Sequence, residues 1–204
     1  TDIVILSGKQ DRFMPKFNYK GFQFVEVSSS APIQLSDENL IAVEMHSDVP
    51  IIGYWSSSSD LLNKIWKATN SSYLANLFGY PTDCPQREKN GWTGDAHIAI
   101  ETGLYNFDGI SIYEKWMNDF CDEQKDNGIL PCIIPTSVWG YDWANGVDWT
   151  SAVAIIPWEI YRFYGDTTLL RRMYGPIKKY VSYIESISTN HLTDWGLGDW
   201  VPVR

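Results

Sequence analysis

Basic residues are scarce in this 204-residue chain. Its 16 Lys and Arg against 25 Asp and Glu leave a net charge of −9, and no Lys/Arg run exceeds two. A polyanionic partner such as nucleic acid is therefore excluded on electrostatic grounds. An acidic surface suits an anionic membrane no better, which leaves a neutral ligand as the comfortable partner. Long apolar runs are missing as well: no stretch of about 18 apolar residues is present, so nothing reads as a bilayer span. The start, Thr1-Asp2-Ile3-Val4, has neither an initiator Met nor a basic segment leading into an apolar run, and reads as the interior of a longer, soluble polypeptide. Three cysteines (Cys84, Cys121, Cys132) are too few, and odd in number, for a disulfide framework. Neither they nor the separated His46, His97 and His191 have zinc-ligand spacing. The expectation is of no metal and no cofactor, with the compartment and oligomeric state left open.

What the chain does have is apolar mass and rings. Hydrophobic residues at 44% and charged ones at 20% suffice for a real core. Ten Trp, 12 Tyr and eight Phe fit a large core with aromatic anchors, the reading composition alone slightly favours; a carbohydrate cleft is the sharper one, and position decides between them. The richest segment is Asp83-Cys-Pro-Gln-Arg-Glu-Lys-Asn-Gly-Trp-Thr-Gly-Asp95. Pro81, Pro85, Gly91 and Gly94 punctuate it, which predicts a shaped loop rather than a regular element. Carboxylates at Asp83, Glu88 and Asp95 can accept hydroxyl hydrogen bonds. The Trp92 indole can cover the C–H face of a sugar ring, and an acid beside it can protonate an ether-like oxygen.

The pattern changes along the chain. Residues 1–54 read as β-rich, with Phe22, Phe24 and Glu26 alternating against Gln23, Val25 and Val27, and a second run at Leu40–Met45. They are expected to be the last strands of a β-sandwich whose remainder lies elsewhere. From residue 55 to 204 the period becomes helical. The first helix, capped among Ser58, Ser59 and Asp60, carries Leu61, Leu62, Ile65, Trp66, Tyr73, Leu74 and Leu77. A second follows Asp95 and ends near Gly103 or Asn106. A third, 109–125, has an Ile112, Tyr113, Trp116, Met117, Phe120, Cys121 stripe. A fourth runs from Trp149 to Tyr164 with a bend at Pro157, and a fifth is capped by Asp166 with a break at Gly175-Pro176. Loops rich in Trp and Asp alternate with these helices, which places ligand-binding loops at one end of a helical array.

Each candidate has an ordinary alternative. Glu88 could be a solvated surface acid beside Lys89, but with Asp83, Arg87, Trp92 and Asp95 within seven residues it is the group chosen for catalysis, its pKa raised by like charges and partial burial. Asp95 could equally cap the second helix, and Asp83 a turn. Arg87 could pair with Glu88, neutralise Asp83 or bind hydroxyls. Cys84 reads as packing. Trp149 heads an apolar stripe and could be core, whereas Trp200, after Asp199 in a glycine-bracketed loop, reads as a sugar platform.

The run Asp83-Cys-Pro-Gln-Arg-Glu…Gly91-Trp-Thr-Gly-Asp-Ala96 resembles the signature of family 78 glycoside hydrolases, the α-L-rhamnosidases. Phe17–Val27, Ser59–Lys64, Trp149-Thr-Ser-Ala-Val, Pro157-Trp158, Tyr164-Gly-Asp166 and Gly198-Asp-Trp200 resemble further landmarks, so the likeness covers nearly the whole chain. The resemblance implies a mainly α protein: an (α/α)₆ barrel preceded by β-sandwich domains, hydrolysing terminal α-L-rhamnosides in a bacterium with inversion. It implies Glu88 as general acid, with Asp83, Arg87, Trp92, Asp95, Trp149, Asp199 and Trp200 binding a rhamnose-containing glycan or glycoside. Many members carry a loop one residue longer, Arg-Asp-Glu-Arg-Leu-Gly-Trp, where this chain has Arg87-Glu-Lys-Asn-Gly-Trp92. Five helices are read where the barrel needs twelve, and the family's general base falls beyond Arg204. Inversion needs two carboxyl groups about 6.5–9.5 Å apart, so the chain is expected to be a fragment: the end of a β-domain and the first half of the barrel. A non-catalytic carbohydrate-binding protein, or another glycosidase or lyase on a helical barrel, is the alternative.

Overall fold

A computed structural model describes residues 1–143 and 146–198. Six helices form in order: α1 (Asp60–Ala75), α2 (Thr93–Asn106), α3 (Ile110–Glu123), α4 (Val147–Thr150), α5 (Ala152–Tyr164) and α6 (Thr168–Ile187).

Their mutual directions follow from who touches whom. Between α1 and α2, Trp66 Nε1–H donates to Asn106 Oδ1 at 3.0 Å, while Tyr73, further along α1, lies over Gly103, earlier in α2, so the two run antiparallel. Between α2 and α5, Gly94 faces the Trp149 ring just ahead of α5, while Arg162 pairs with Glu101 and Phe163 meets Tyr105 further along. These two helices are therefore parallel, with both N-termini at one end. Likewise Arg172 reaches the Glu114 carbonyl while Gln124 reaches that of Pro176, which makes α3 and α6 parallel. The result is an inner pair, α2 and α5, covered by α1, α3 and α6. Short connections, 107–109 and 165–167, close one end. The long loop 76–92 and the described parts of the loop before α4, 124–143, and of the tail, 188–198, gather at the other.

The core sits where α3, α5 and α6 meet. Tyr113, Trp116, Met117 and Phe120 of α3 are fully buried against Ile156 and Ile160 of α5 and Met173 of α6. Burial on this scale stabilises by about 1.5–3 kcal/mol per large side chain. The polar atoms taken inside are paired: Trp116 Nε1–H donates to the Ile134 carbonyl at 2.9 Å, the Tyr73 and Tyr113 hydroxyls bond each other at 2.9 Å, and Thr150 Oγ1 meets the Tyr180 hydroxyl at 2.7 Å.

Several expectations need adjusting. The stripe read for the first helix is buried only toward its end: Tyr73 and Leu77 are covered, while Leu61, Leu62 and Ile65 lie exposed. The fourth helix is divided at Ser151 into α4 and α5, with Pro157 inside α5. Helix α6 is likewise continuous through Gly175 and Pro176. An interior proline costs about 3 kcal/mol, and burial of Leu169, Met173 and Tyr180 on either side outweighs it. Thr167 holds the N-cap position of α6, yet the cap hydrogen bond is Asp166's, whose Oδ1 accepts from the Thr168 N–H at 2.8 Å. The first 46 residues form no strand ladder among the described residues. A strand exists only through a neighbour's hydrogen bonds, and the runs at 22–27 and 40–45 do not pair, leaving Phe24 and Ile41 exposed. Residues 47–53 instead lie as an extended strap along the α1–α2 hairpin. The Ser47 N–H bonds the Leu77 carbonyl at one end, and the Ile52 and Gly53 N–H groups share the Asn106 carbonyl at the other. Among the described residues no helix is long and apolar enough to cross a membrane.

Candidate active site

The loop 83–92 joins α1 to α2 at the end where the inner helices begin. It is closed on itself by Asp83. The Asp83 N–H donates to the Asn90 carbonyl at 3.1 Å, the Asn90 N–H donates back to Asp83 Oδ1 at 2.9 Å, and the Cys84 thiol donates to Asp83 Oδ2 at 2.7 Å. Cys84 Sγ in turn accepts from the Glu88 N–H at 3.3 Å. The turn-closing alternative for Asp83 is thus realised, while one face of the half-buried carboxylate stays near the other acids. Gly91 is required because any Cβ there would overlap the Ile134 carbonyl of the facing loop, whose N–H donates to the Gly91 carbonyl at 2.9 Å.

Glu88 is exposed, and its side chain is nonetheless directed: Trp92 Nε1–H donates to Glu88 Oε2 at 2.7 Å. The burial expected for it is not found. Asp95 is not the helix cap. Trp92 holds that position without a side-chain bond, and Asp95 stands in the first turn of α2. The helix begins three residues earlier than an Asp95 cap would set it, because Thr93 is anchored twice to the Cys132 carbonyl, through its N–H at 2.8 Å and its Oγ1–H at 3.0 Å. The Asp95 carboxyl is the one pushed up from the usual aspartate range, first by desolvation, opposed by its own backbone N–H, and further by the negative charges of Asp83 and Glu88. Although the residue presents much of its surface to water, protein atoms crowd the carboxyl itself, and both like charges reach it. Arg87 is exposed and forms no ion pair with Asp83, Glu88 or Asp95.

An indole cluster borders the acids. Trp92 meets Trp149 edge to face at 6.4 Å between centroids and Trp143 at 5.9 Å, and Trp143 continues to Trp139 at 5.6 Å. Trp149 lies across Gly94, packs with Trp92 on Cys132 and Ile133, and keeps a buried Nε1–H that has no hydrogen-bond partner among the described residues. Its core and cleft readings both apply, since the ring is half covered. Helix α4 is fastened nearby, with His97 Nε2 at 2.9 Å from the Asp148 carbonyl.

Five sequence-derived candidates, Asp83, Glu88, Trp92, Asp95 and Trp149, are therefore gathered at one end of the helical array. Arg87 is not tied to them, and Asp199 and Trp200 lie outside the described residues. Trp143 is not among the sequence-derived candidates; its signal in the sequence is its place in a segment with Trp139, Gly140 and Gly146. Among the described residues no group of three His, Cys, Asp or Glu side chains could hold a metal ion.

Comparisons with known proteins point one way. Residues 50–204 match the family model described as the bacterial alpha-L-rhamnosidase 6 hairpin glycosidase domain, and residues 1–46 match the bacterial alpha-L-rhamnosidase concanavalin-like domain. Among curated relatives, an alpha-L-rhamnosidase of Alteromonas sp. is 32% identical over 93% of this chain and 21% of its own length. One from Formosa agariphila is 32% identical over 96% of this chain and 21% of its own. The chain thus spans about a fifth of the length of the curated relatives it matches. Among solved structures, the alpha-L-rhamnosidase from Dictyoglumus thermophilum superposes with a TM-score of 0.72 at 37% identity, covering 76% of this chain and 18% of that one. The Streptomyces avermitilis alpha-L-rhamnosidase complexed with L-rhamnose gives 0.72 at 28% identity over 78% of this chain and 15% of that one. The paired helices, with α2 and α5 inside, are accordingly part of an (α/α)₆ barrel of the six-hairpin type. By this match over residues 50–204, the chain belongs to the bacterial α-L-rhamnosidase six-hairpin glycosidase family.

Proposed function

We propose that this chain supplies the acid side of an inverting α-L-rhamnosidase, acting on terminal α-L-rhamnosides of glycosides or polysaccharides. Residues 1–54 belong to the preceding β-domain and 55–204 to the first half of the barrel. The observation that carries the reading is the Trp92–Glu88 hydrogen bond of 2.7 Å in a loop where Asp83 and Asp95 stand close enough to feel each other's charge. The indole fixes one carboxylate oxygen and leaves the other free to meet a glycosidic oxygen. Asp83, Asp95 and Arg87 offer acceptors and donors for sugar hydroxyls, and the indoles of Trp92 and Trp149 give apolar faces for C–H groups. A sugar seated over the loop excludes water, which strengthens the mutual repulsion of the carboxylates and favours a proton held among them. That proton passes to the departing oxygen as the glycosidic bond breaks. Water activated by a carboxylate on the opposite face, proposed to come from polypeptide beyond these 204 residues, adds to the anomeric carbon. The Streptomyces relative solved with L-rhamnose supports the choice of sugar.

In the intact enzyme, Glu88→Gln is expected to leave rhamnose affinity largely in place and to cut kcat on alkyl rhamnosides by roughly 10²–10⁴-fold, the range of general-acid catalysis. Near-normal turnover would remove Glu88 from the role. Incubating an aryl rhamnoside with this chain and, separately, with a longer polypeptide tests the sugar-binding alternative: hydrolysis by neither, with rhamnose bound by both, would favour it.

A further inference from the structure

Glu88 is followed by a residue that pulls the other way. Lys89 takes a left-handed backbone, φ 56°, which a non-glycine residue adopts at a cost and keeps only when its surroundings fix it. Its side chain leaves the indole cluster for the amino-terminal segment. There the ammonium donates to Asn18 Oδ1 at 2.8 Å and the Tyr19 carbonyl at 2.7 Å, and lies 5.0 Å from the centre of the Tyr19 ring. Tyr19 in turn stacks on Phe78, centroids 4.4 Å apart, beside the end of α1. Two residues on, the Gly21 N–H donates to the Pro85 carbonyl at 3.1 Å, and a Cβ at Gly21 would stand 3.0 Å from Pro85 Cγ. Both sides of the acidic turn, at Pro85 and at Lys89, are therefore fastened to residues 18–21, about 70 positions earlier in sequence.

We propose that Lys89, through Asn18 and Tyr19, is a positioning residue for Glu88: the amino-terminal segment clamps the acidic turn so that the glutamate stays on the Trp92 indole. The proposal rests on Glu88 being the general acid. It does not give Lys89 any contact with substrate. Without the clamp, the turn keeps the Glu88 N–H bond to Cys84 and the single indole bond to the Glu88 side chain, and an exposed glutamate on a loosened turn spends less time where a leaving group needs it.

The test uses the intact enzyme and two substrates, methyl α-L-rhamnoside, whose leaving group requires protonation, and dinitrophenyl α-L-rhamnoside, whose leaving group does not. Lys89→Met is expected to lower kcat on the methyl glycoside about tenfold or more, since misplacement by 1 Å of a catalytic group can cost about 10²-fold. KM should move little, and the dinitrophenyl substrate should be nearly spared. Lys89→Arg, able to reach the same acceptors, should recover most of the loss. Asn18→Ala, at an exposed position, should give the same selectivity in weaker form, with a thermal melt run alongside to check the fold. A purely structural role would depress both substrates together. Equal losses on both, or no loss in either Lys89→Met or Asn18→Ala, overturns the clamp. Glu88→Gln run alongside separates the two ideas. If it shows the selective loss and Lys89→Met does not, the clamp alone falls. If Glu88→Gln spares the methyl glycoside, the general-acid reading falls and takes the clamp's catalytic role with it.

Discussion

Gly94 is the residue through which packing in the helix reaches the site most directly, and Gly94→Ala isolates that link. A Cβ there would stand 2.7 Å from Cδ1, Cε2 and Nε1 of Trp149. Ordinary contact begins near 3.4 Å, so the indole must retreat by at least about 0.7 Å. The ring cannot retreat freely, because it packs edge to face with Trp92 and lies on Cys132 and Ile133. The displacement is passed to Trp92, whose Nε1–H holds Glu88. Two energies oppose each other in the fold: overpacking costs about 1–3 kcal/mol, and replacing glycine by alanine within a helix returns up to about 1 kcal/mol. Net stability should therefore fall by about 0–3 kcal/mol. If Glu88 is the acid as proposed, catalysis should suffer more, by roughly 10–100-fold on an alkyl rhamnoside, because its carboxylate is displaced by a sizeable fraction of an ångström. Thermal melts, near-ultraviolet circular dichroism of the indoles and kcat on the intact enzyme check this together. Gly103→Ala is the control. Its Cβ would overlap the Tyr73 ring and hydroxyl, far from the acids, and it should cost about 2–4 kcal/mol while leaving the per-molecule kcat of the folded fraction intact. A Gly94→Ala enzyme with unaltered indole dichroism and full activity would refute the proposed relay from α2 to Glu88.

Two further outcomes follow from buried or crowded groups. Asp95 has its pKa raised in the fold, chiefly by desolvation, so its contribution to stability is complete below the ordinary aspartate value of 3.8 and is lost as pH rises through the raised one. Asp95→Asn should accordingly melt higher than the native chain at pH 7 and lose that advantage at pH 3; an equal advantage at both would contradict the shift. The Tyr73–Tyr113 pair calls for a double-mutant cycle by denaturant unfolding. Tyr73→Phe and Tyr113→Phe each strand one buried hydroxyl and should cost about 1–3 kcal/mol, whereas the double substitution should cost no more than either alone. Additive losses would mean that the hydroxyls do not depend on each other.

The helices that wear one apolar stripe were legible from the sequence. In α3 the spacing of Tyr113, Trp116, Met117 and Phe120 predicts the buried face that the structure has. The boundaries of α2 were less so, since small and apolar groups surround it and its first turn is set by Thr93 bonding a carbonyl 39 residues away. Pro176 misled for the same reason. A local breaker was read without the packing of Leu169, Met173 and Tyr180 that carries the helix across it. At the amino terminus the alternation at 22–27 was real as a pattern, but a pattern names a face and not the strand beside it, and no described strand lies beside it.

In the acidic loop the residue types were legible and the pairings were not. Three carboxylates in thirteen residues invite the inference that they act alike, whereas the structure gives each a different holder. Asp83 is spent largely on closing the turn through Asn90 and Cys84, Glu88 is held by one indole N–H, and Asp95 is carried by the first turn of a helix. A helix can hold Asp95 because its backbone is already bonded. Glu88 has no such frame, since its own N–H is bound only to a thiol. Whatever fixes it must come from outside the loop, and the contacts that do so arrive from opposite sides: Trp92 at the head of α2, and residues 18–21 through Lys89. A segment that supplies no group to the reaction would then govern how often the acid is in place. Substitutions at Asn18 or Gly21, remote in sequence from every carboxylate, should consequently alter leaving-group dependence before they alter sugar affinity.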